Sequence, residues 1–214
     1  MVPKTDPLDF DLYPVTCASL SAGRSNLEVL DGLIAGGAQV VQLRSKELSD
    51  RDLFHLAAEF RRRTREAGMT LIINDRVDIC IAVQADGVHL GQDDFPIPEA
   101  RRLLGPRAVI GASTHNLDEA LKAVSEGAST INVGPIYATQ TKEHLAGPVG
   151  IDLFKQIKDR VSIPITVMGG IKIDNIEPLL AAGARRIAVV TAITAAPDIA
   201  AAVRQFRQKI LSYR

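Results

Sequence analysis

One phrase recurs along the chain and constrains its fold more than any other feature: a helix-like stretch, a glycine among small residues, then a short apolar run. Ala35-Gly36-Gly37-Ala38 precedes Val40–Leu43, Ala67-Gly68 precedes Leu71–Ile73, and Asp86-Gly87 precedes Val88–Leu90. Glu126-Gly127-Ala128 then precedes Thr130–Val133, and Ala182-Gly183-Ala184 precedes Ile187–Val190. A glycine just past a helix takes the left-handed conformation that ends it, free of the Cβ clash other residues meet. The apolar runs are too short for helices and mostly lack polar alternation, which suits strands buried on both faces of a parallel sheet. Strands are predicted at Leu12–Cys17, Gln39–Arg44, Thr70–Asn74, Gly87–Leu90, Ala108–Ser113, Thr130–Val133, Ile165–Met168 and Arg186–Val190. Eight β/α units of about 24–26 residues make a compact (β/α)8 barrel, the α/β TIM-barrel class, whose usual size is roughly 200–250 residues. The alternative, an open doubly wound sheet, wants a Gly-rich first turn opening into a helix, and residues 17–25 hold only Gly23. No Pro/Ser/Gly-rich linker divides the chain, so a single barrel domain is expected over 1–214, with 1–11 as an N-terminal extension.

The stretches between strands read as helices. In Asp50–Ala67, Leu53, Leu56, Ala57, Phe60, Thr64 and Ala67 share one face, and Ser49 or Asp50 stands where an N-cap belongs. Arg61-Arg62-Arg63 and Arg65 fall mostly off that face and read as a solvated surface near a helix C-terminus, where cations are favoured. The last helix repeats the pattern with Ile199, Val203, Phe206 and Ile210. The charge balance of 25 Lys+Arg against 25 Asp+Glu lacks the basic surplus of a chain that grips nucleic acid or an anionic membrane. With 4% aromatics and no Trp, base stacking has little to stand on. Two cysteines, Cys17 and Cys80, are too few for a disulfide scaffold and suit a reducing compartment. No apolar run approaches the roughly 18–20 residues of a membrane span, and Met1–Asp11 is acidic and Pro-rich, unlike a signal peptide. A cytoplasmic globule is expected, with no nucleic-acid or membrane partner. No helical face stands out as an interface, so homo-oligomer formation stays open.

In such a barrel the active site lies at the C-terminal ends of the strands, and polar residues gather there. Gln42, Arg44 and Lys46 lie in and after the second strand, Asn74-Asp75 end the third, and His89, Gln92, Asp93 and Asp94 belong to the fourth. Ser113-Thr114-His115 end the fifth strand, and a loop with Tyr137, Thr139, Thr141 and Lys142 follows the sixth. Gly169-Gly170 follow the seventh and Thr191 the eighth, whereas the N-terminal ends carry Gly, Ala and Pro. Arg44, Lys46 and Lys142 suit a multiply charged anion, Arg adding a bidentate fork for phosphate oxygens. Asp75 and Asp94 offer the hard oxygens that, with substrate phosphate, suit Mg²⁺; Asp75 could equally pair with Arg76 or cap a helix. Gly169-Gly170 and the Val190-Thr191 turn suit a phosphate held on backbone N–H groups after strands seven and eight. Two anion sites follow, one metal-assisted for a diphosphate and one metal-free for a monophosphate. No nucleophile–base–acid set stands out, which is compatible with ionising a diphosphate, a step that needs charge stabilisation and positioning more than a base.

These residues resemble the thiamine phosphate synthase family from about Leu12 to Ile193. The motifs are Gln42-Leu43-Arg44-Ser45-Lys46, Ile73-Asn74-Asp75-Arg76-Val77-Asp78, Gly87-Val88-His89-Leu90-Gly91-Gln92-Asp93-Asp94, Gly111-Ala112-Ser113-Thr114-His115, Gly134-Pro135-Ile136-Tyr137-Ala138-Thr139-Gln140-Thr141-Lys142, Gly169-Gly170-Ile171 and Val190-Thr191-Ala192-Ile193. The resemblance implies an enzyme, a transferase joining 4-amino-2-methyl-5-hydroxymethylpyrimidine diphosphate to 4-methyl-5-(2-phosphoethyl)thiazole, with release of diphosphate and one Mg²⁺ per active site. It implies that Gln42, Leu43, Arg44, Ser45, Lys46, Asn74, Ser113 and Lys142 hold the pyrimidine diphosphate, Arg44, Lys46 and Lys142 acting on the leaving group. It implies Thr139, Gln140, Thr141, Gly170, Val190 and Thr191 for the thiazole phosphate, and Asp75 and Asp94 for the metal. Three positions depart from the family pattern: Cys17 stands where Asp is frequent, Ser45 where Glu is common, and Thr191 where Ser is usual. The alternatives are a thiazole tautomerase-like barrel, in which His115 would move the proton, a sugar-phosphate epimerase-like barrel, and a non-catalytic thiamine phosphate-binding protein.

Overall fold

The computed structural model describes residues 6–139 and 147–214. Eight parallel strands form one sheet: β1 (Leu12–Pro14), β2 (Val40–Leu43), β3 (Thr70–Asn74), β4 (Gly87–Leu90), β5 (Val109–Thr114), β6 (Thr130–Val133), β7 (Ile165–Met168) and β8 (Ile187–Val189). The sheet runs β1-β8-β7-β6-β5-β4-β3-β2. Its two edges meet where Val15 bridges Gln42 and the Thr16 N–H donates to the Gln42 carbonyl at 3.0 Å, which brings the sheet round into a nearly closed barrel. Each predicted strand has its counterpart; the predictions are overlong by a residue or more at β1, β2 and β8, and β5 runs one residue later at both ends than predicted.

Helices follow the strands: α1 (Asn26–Ala35), α2 (Asp50–Glu66), α3 (Val77–Val83), α4 (Ile97–Leu104), α5 (Leu117–Ser125), α6 (Gly150–Lys158), α7 (Glu177–Ala181), α8 (Thr191–Thr194) and α9 (Ile199–Leu211). Ser25 and Glu28 form a reciprocal capping box on α1, and Ser49 accepts from the Asp52 N–H to start α2. Most of the glycines that follow helices do carry positive φ, but Gly87 does not: Gln84, at φ 55°, ends α3 in its place. Gly87 is wanted for a different reason, because a Cβ there would lie 2.0 Å from the Val109 carbonyl oxygen across the β4–β5 ladder.

Alternation along each strand builds two cores. Leu12, Val41, Leu43, Leu71, Ile73, Val88, Leu90 and Ile131 face outward and pack with the helices, joined by Ile199, Val203, Phe206 and Ile210 of α9. Tyr13, Val40, Ile72, Val109 and Ala188 face inward and, with Phe10, plug the barrel. Above that plug the inward positions turn polar, and this is where the cavity begins.

The arginine cluster of α2 departs from expectation. Arg61 is buried rather than solvated: its guanidinium lies 2.8 Å from the Asp86 carboxylate at the N-terminal end of β4, and Asp86 also accepts from the Leu71 N–H. Arg207 likewise grips the buried Asp11 ahead of β1, and Arg101 spans the carbonyls of Gly105, Ala108 and Gly127. The N-terminal end of the barrel is thus not the apolar Gly/Ala/Pro surface that the sequence suggests. Its charges arrive from helices distant in sequence, so reading only the residues beside each strand misses them.

Candidate active site

A cavity of about 580 Å³ opens at the C-terminal end of the barrel, and every strand or the residue just after it contributes to the wall. Inward-facing positions at the tops of β2 to β6 supply Gln42, Asn74, His89, Ser113 and Asn132. These are the same alternating positions that lower down belong to the apolar plug, since side chains two apart on a strand share a face.

The β2–β5 wall is prearranged by side-chain hydrogen bonds. The buried Gln42 amide donates to the Tyr13 hydroxyl at 2.9 Å. Burial pushes the Tyr13 phenol well above its usual value, the Gln42 bond offsetting only part of that, so Tyr13 stays neutral. His89 Nε2 and Ser113 Oγ lie 2.9 Å apart, and Gln92 donates to the Ser113 carbonyl at 2.6 Å. Arg44 is half-buried on this wall; its backbone N–H donates to Thr16 Oγ1 and its Nη1 lies 3.6 Å from Cys17 Sγ. The departure at position 17 therefore places a neutral thiol, not a carboxylate, beside the cation.

Ser45, Lys46, Asp75 and Asp94 follow β2, β3 and β4 at the same end of the barrel, and none of them lines the cavity itself. Lys46 Nζ is 3.7 Å from Asp75, and Asp94 accepts from the Gly91 N–H at 2.6 Å. Arg76 is engaged by Asp50 at 2.5 Å and Asp78 at 2.6 Å, and the α3 N-cap position is Arg76 itself. That guanidinium holds the carboxyls of Asp50 and Asp78 below their usual values. Leu43 packs its side chain in the outer core and does not line the cavity.

The opposite wall is built from backbone. Gly169 and Gly170 follow β7 at φ 100° and 64°, and a Cβ on Gly170 would lie 2.5 Å from the Ala138 carbonyl oxygen and 2.8 Å from Tyr137 Cβ. Only glycine satisfies both the conformation and the space. Val190, Thr191 and Ala192 begin the short α8 and line the cavity, as does Thr139. Gln140, Thr141 and Lys142 lie outside the described residues. His115 lines the wall between, its Nδ1 and backbone N–H both 2.8 Å from the Glu119 carboxylate.

Asn132, Met168 and Lys172 also line the cavity and were not singled out from sequence. The signal for Asn132 was present, as a polar residue between Ile131 and Val133 in an apolar strand. Lys172 follows Gly169-Gly170 closely but reads as an ordinary loop lysine.

The sequence pattern of the family described as thiamine monophosphate synthase matches residues 12–193. The chain belongs to that family. It is 52% identical over 200 residues to the thiamine-phosphate synthase of Chloroflexus aurantiacus, covering 94% of this chain and 92% of that relative. It is 45% identical over 205 residues to the thiamine-phosphate synthase of Moorella thermoacetica, covering 96% and 98%. Among solved structures, the thiamine phosphate pyrophosphorylase of Pyrococcus furiosus superposes with a TM-score of 0.88 at 32% identity, covering 97% and 98%. Family membership makes the chain an enzyme of the transferase class.

Proposed function

We propose that this family member condenses 4-amino-2-methyl-5-hydroxymethylpyrimidine diphosphate with 4-methyl-5-(2-phosphoethyl)thiazole, giving thiamine phosphate and diphosphate. One observation carries the reading: a single cavity has Arg44 on one wall and the open backbone of Gly170 and Val190–Thr191 on another. A diphosphate and a monophosphate can then be held apart, with their reactive carbon and nitrogen between them. The single barrel over 1–214 and a cytoplasmic location belong to the same reading; among the described residues no helix is long and apolar enough to cross a membrane.

Gln42, Asn74 and Ser113 orient the pyrimidine end, with Leu43 and Ser45 contributing backbone. Arg44, Lys46 and Lys142 draw off the charge that develops on the diphosphate as its bond to the methylene carbon breaks. The leaving group takes the bonding pair, and the aminopyrimidine ring delocalises the cation left behind. The thiazole nitrogen then donates its lone pair to that carbon. It carries no proton, so no base is needed, in keeping with the Glu119-bound His115 and the Ser113-bound His89. Thr139, Gln140, Thr141, Gly170, Val190 and Thr191 hold the thiazole phosphate, the last three through backbone N–H groups.

The donor set suits Mg²⁺. Asp75 and Asp94 present carboxylates from the ends of adjacent strands, at the rim that also carries Lys46, and Mg²⁺ takes one or two carboxylates alongside substrate phosphate oxygens and water. One bound ion per site would polarise the diphosphate as a Lewis acid. Lys46 Nζ stands 3.7 Å from the Asp75 carboxylate.

Purified protein mixed with both substrates and Mg²⁺ is expected to release thiamine phosphate and diphosphate in equal amounts, and EDTA to stop the reaction. Folded protein that binds both substrates but releases no diphosphate would overturn the reading.

A further inference from the structure

The geometry points to Lys172 as the side chain that selects the phosphorylated thiazole over its alcohol. The assignment rests on the synthase reading and adds a residue to it. Lys172 lines the cavity beside Gly170, on the wall where the other candidate phosphate contacts are backbone N–H groups and hydroxyls. Its charge has no partner: among the described residues every other lysine is held by a carboxylate or a carbonyl, and Lys172 Nζ by neither. A cation left unpaired at the wall of a cavity is available to a ligand at no cost of breaking an internal contact.

The backbone beneath it is fixed. Asn175 accepts from the Lys172 N–H at 2.8 Å and donates to the Gly170 carbonyl at 2.9 Å, so one side chain ties both ends of the Gly170–Lys172 segment. Tyr137, from the loop after β6, donates to the Asn175 carbonyl at 2.9 Å and joins this segment to the neighbouring loop. The backbone of Gly170 and the backbone of Lys172, from which its side chain projects, are thereby held in a constant relation. Backbone N–H groups contribute only partial charges, and α8 is a single four-residue turn, so a full positive charge beside them adds to the hold on a phosphate dianion. An ammonium serves well as a point charge for phosphate.

Calorimetric titration of the full chain, with Mg²⁺ and inorganic diphosphate present, tests the assignment using thiazole phosphate and the dephosphorylated thiazole alcohol as probes. Lys172→Gln is expected to weaken phosphate binding about tenfold, as loss of one charge-assisted contact does, and to leave alcohol binding within about twofold. Lys172→Arg is expected to restore the preference for phosphate. Equal losses for both probes, or phosphate binding within twofold of wild type, would overturn it, as would a wild-type protein that binds neither. The synthase reading fails separately: wild-type protein that binds thiazole phosphate through Lys172 but forms no thiamine phosphate sinks that reading and leaves this one intact.

Discussion

At the N-terminal end of the barrel, Arg61 lies 2.8 Å from Asp86 with side chains only 11% and 4% exposed. At the C-terminal end, Lys46 is 3.7 Å from Asp75 with side chains 62% and 24% exposed, Arg44 faces a thiol, and Lys172 faces the cavity. Both ends carry opposite charges brought near each other by segments distant in sequence. At one end they are satisfied within the protein, with good geometry and further hydrogen bonds. At the other, Lys46 is an exposed cation 3.7 Å from Asp75 and, among the described residues, Lys172 has no carboxylate partner, so these cations remain available to a phosphate. The presence of charge does not distinguish the catalytic end of this barrel; unspent charge does.

The largest effect is expected at the closed end. Asp86→Ala strands the Arg61 guanidinium and the Leu71 N–H in the interior, and breaking one partner of a buried pair costs about 3–5 kcal/mol. Urea unfolding should register that loss while the KM for each substrate stays near wild type. A changed KM at unchanged stability would erase the distinction between the ends. At the open end the outcome should be reversed. Asp75→Ala combined with Asp94→Ala should lower kcat by about 10²–10³ and remove the response to Mg²⁺, with the unfolding midpoint little altered. If metal dependence survives in the double variant, these carboxylates are not the ligands.

A smaller and mixed effect is expected for Gly170→Ala. The new Cβ meets the Ala138 carbonyl at a positive φ, so about 1–3 kcal/mol of strain should appear in unfolding. It should come with a raised KM for thiazole phosphate and not for the pyrimidine diphosphate. Equal rises for both substrates would show that the two walls are not independent. The smallest effect is a reporter. Cys80 in α3 donates to the Gly87 carbonyl beside the Arg61–Asp86 pair, and burial, reinforced by Asp86, pushes its thiol up from 9.0 to about 12. The folded state therefore favours the protonated thiol. Its contribution is intact below pH 9 and is lost as pH rises from there through about 12. In a Cys17→Ser background at pH 8, Cys80 should resist thiol reagents until the protein unfolds. Rapid native labelling would mean that the N-terminal end opens readily.

Much of this could be read from the chain itself. The strand–helix repeat gave the barrel because parallel strands and their covering helices each leave a local signature in apolar periodicity. The rim residues were legible because each strand in this fold ends at the same face. The charged residues of the N-terminal end were misread, since Arg61 and Arg207 reach it from helices whose local pattern says only that they lie off the main apolar stripe. Lys172 and Asn132 escaped notice for a related reason: nothing near either residue in sequence marks it as facing a cavity.

Sequence alone determined the fold class, the order of the strands and which residue types stand at their C-terminal ends, because those depend on neighbours within a few positions. Tertiary structure decided which charges are spent. Whether an arginine meets a carboxylate or stands free depends on where elements far apart in the chain bring their ends, and residues 61 and 86, or 46 and 75, acquire their meaning only when neighbouring β/α units pack together.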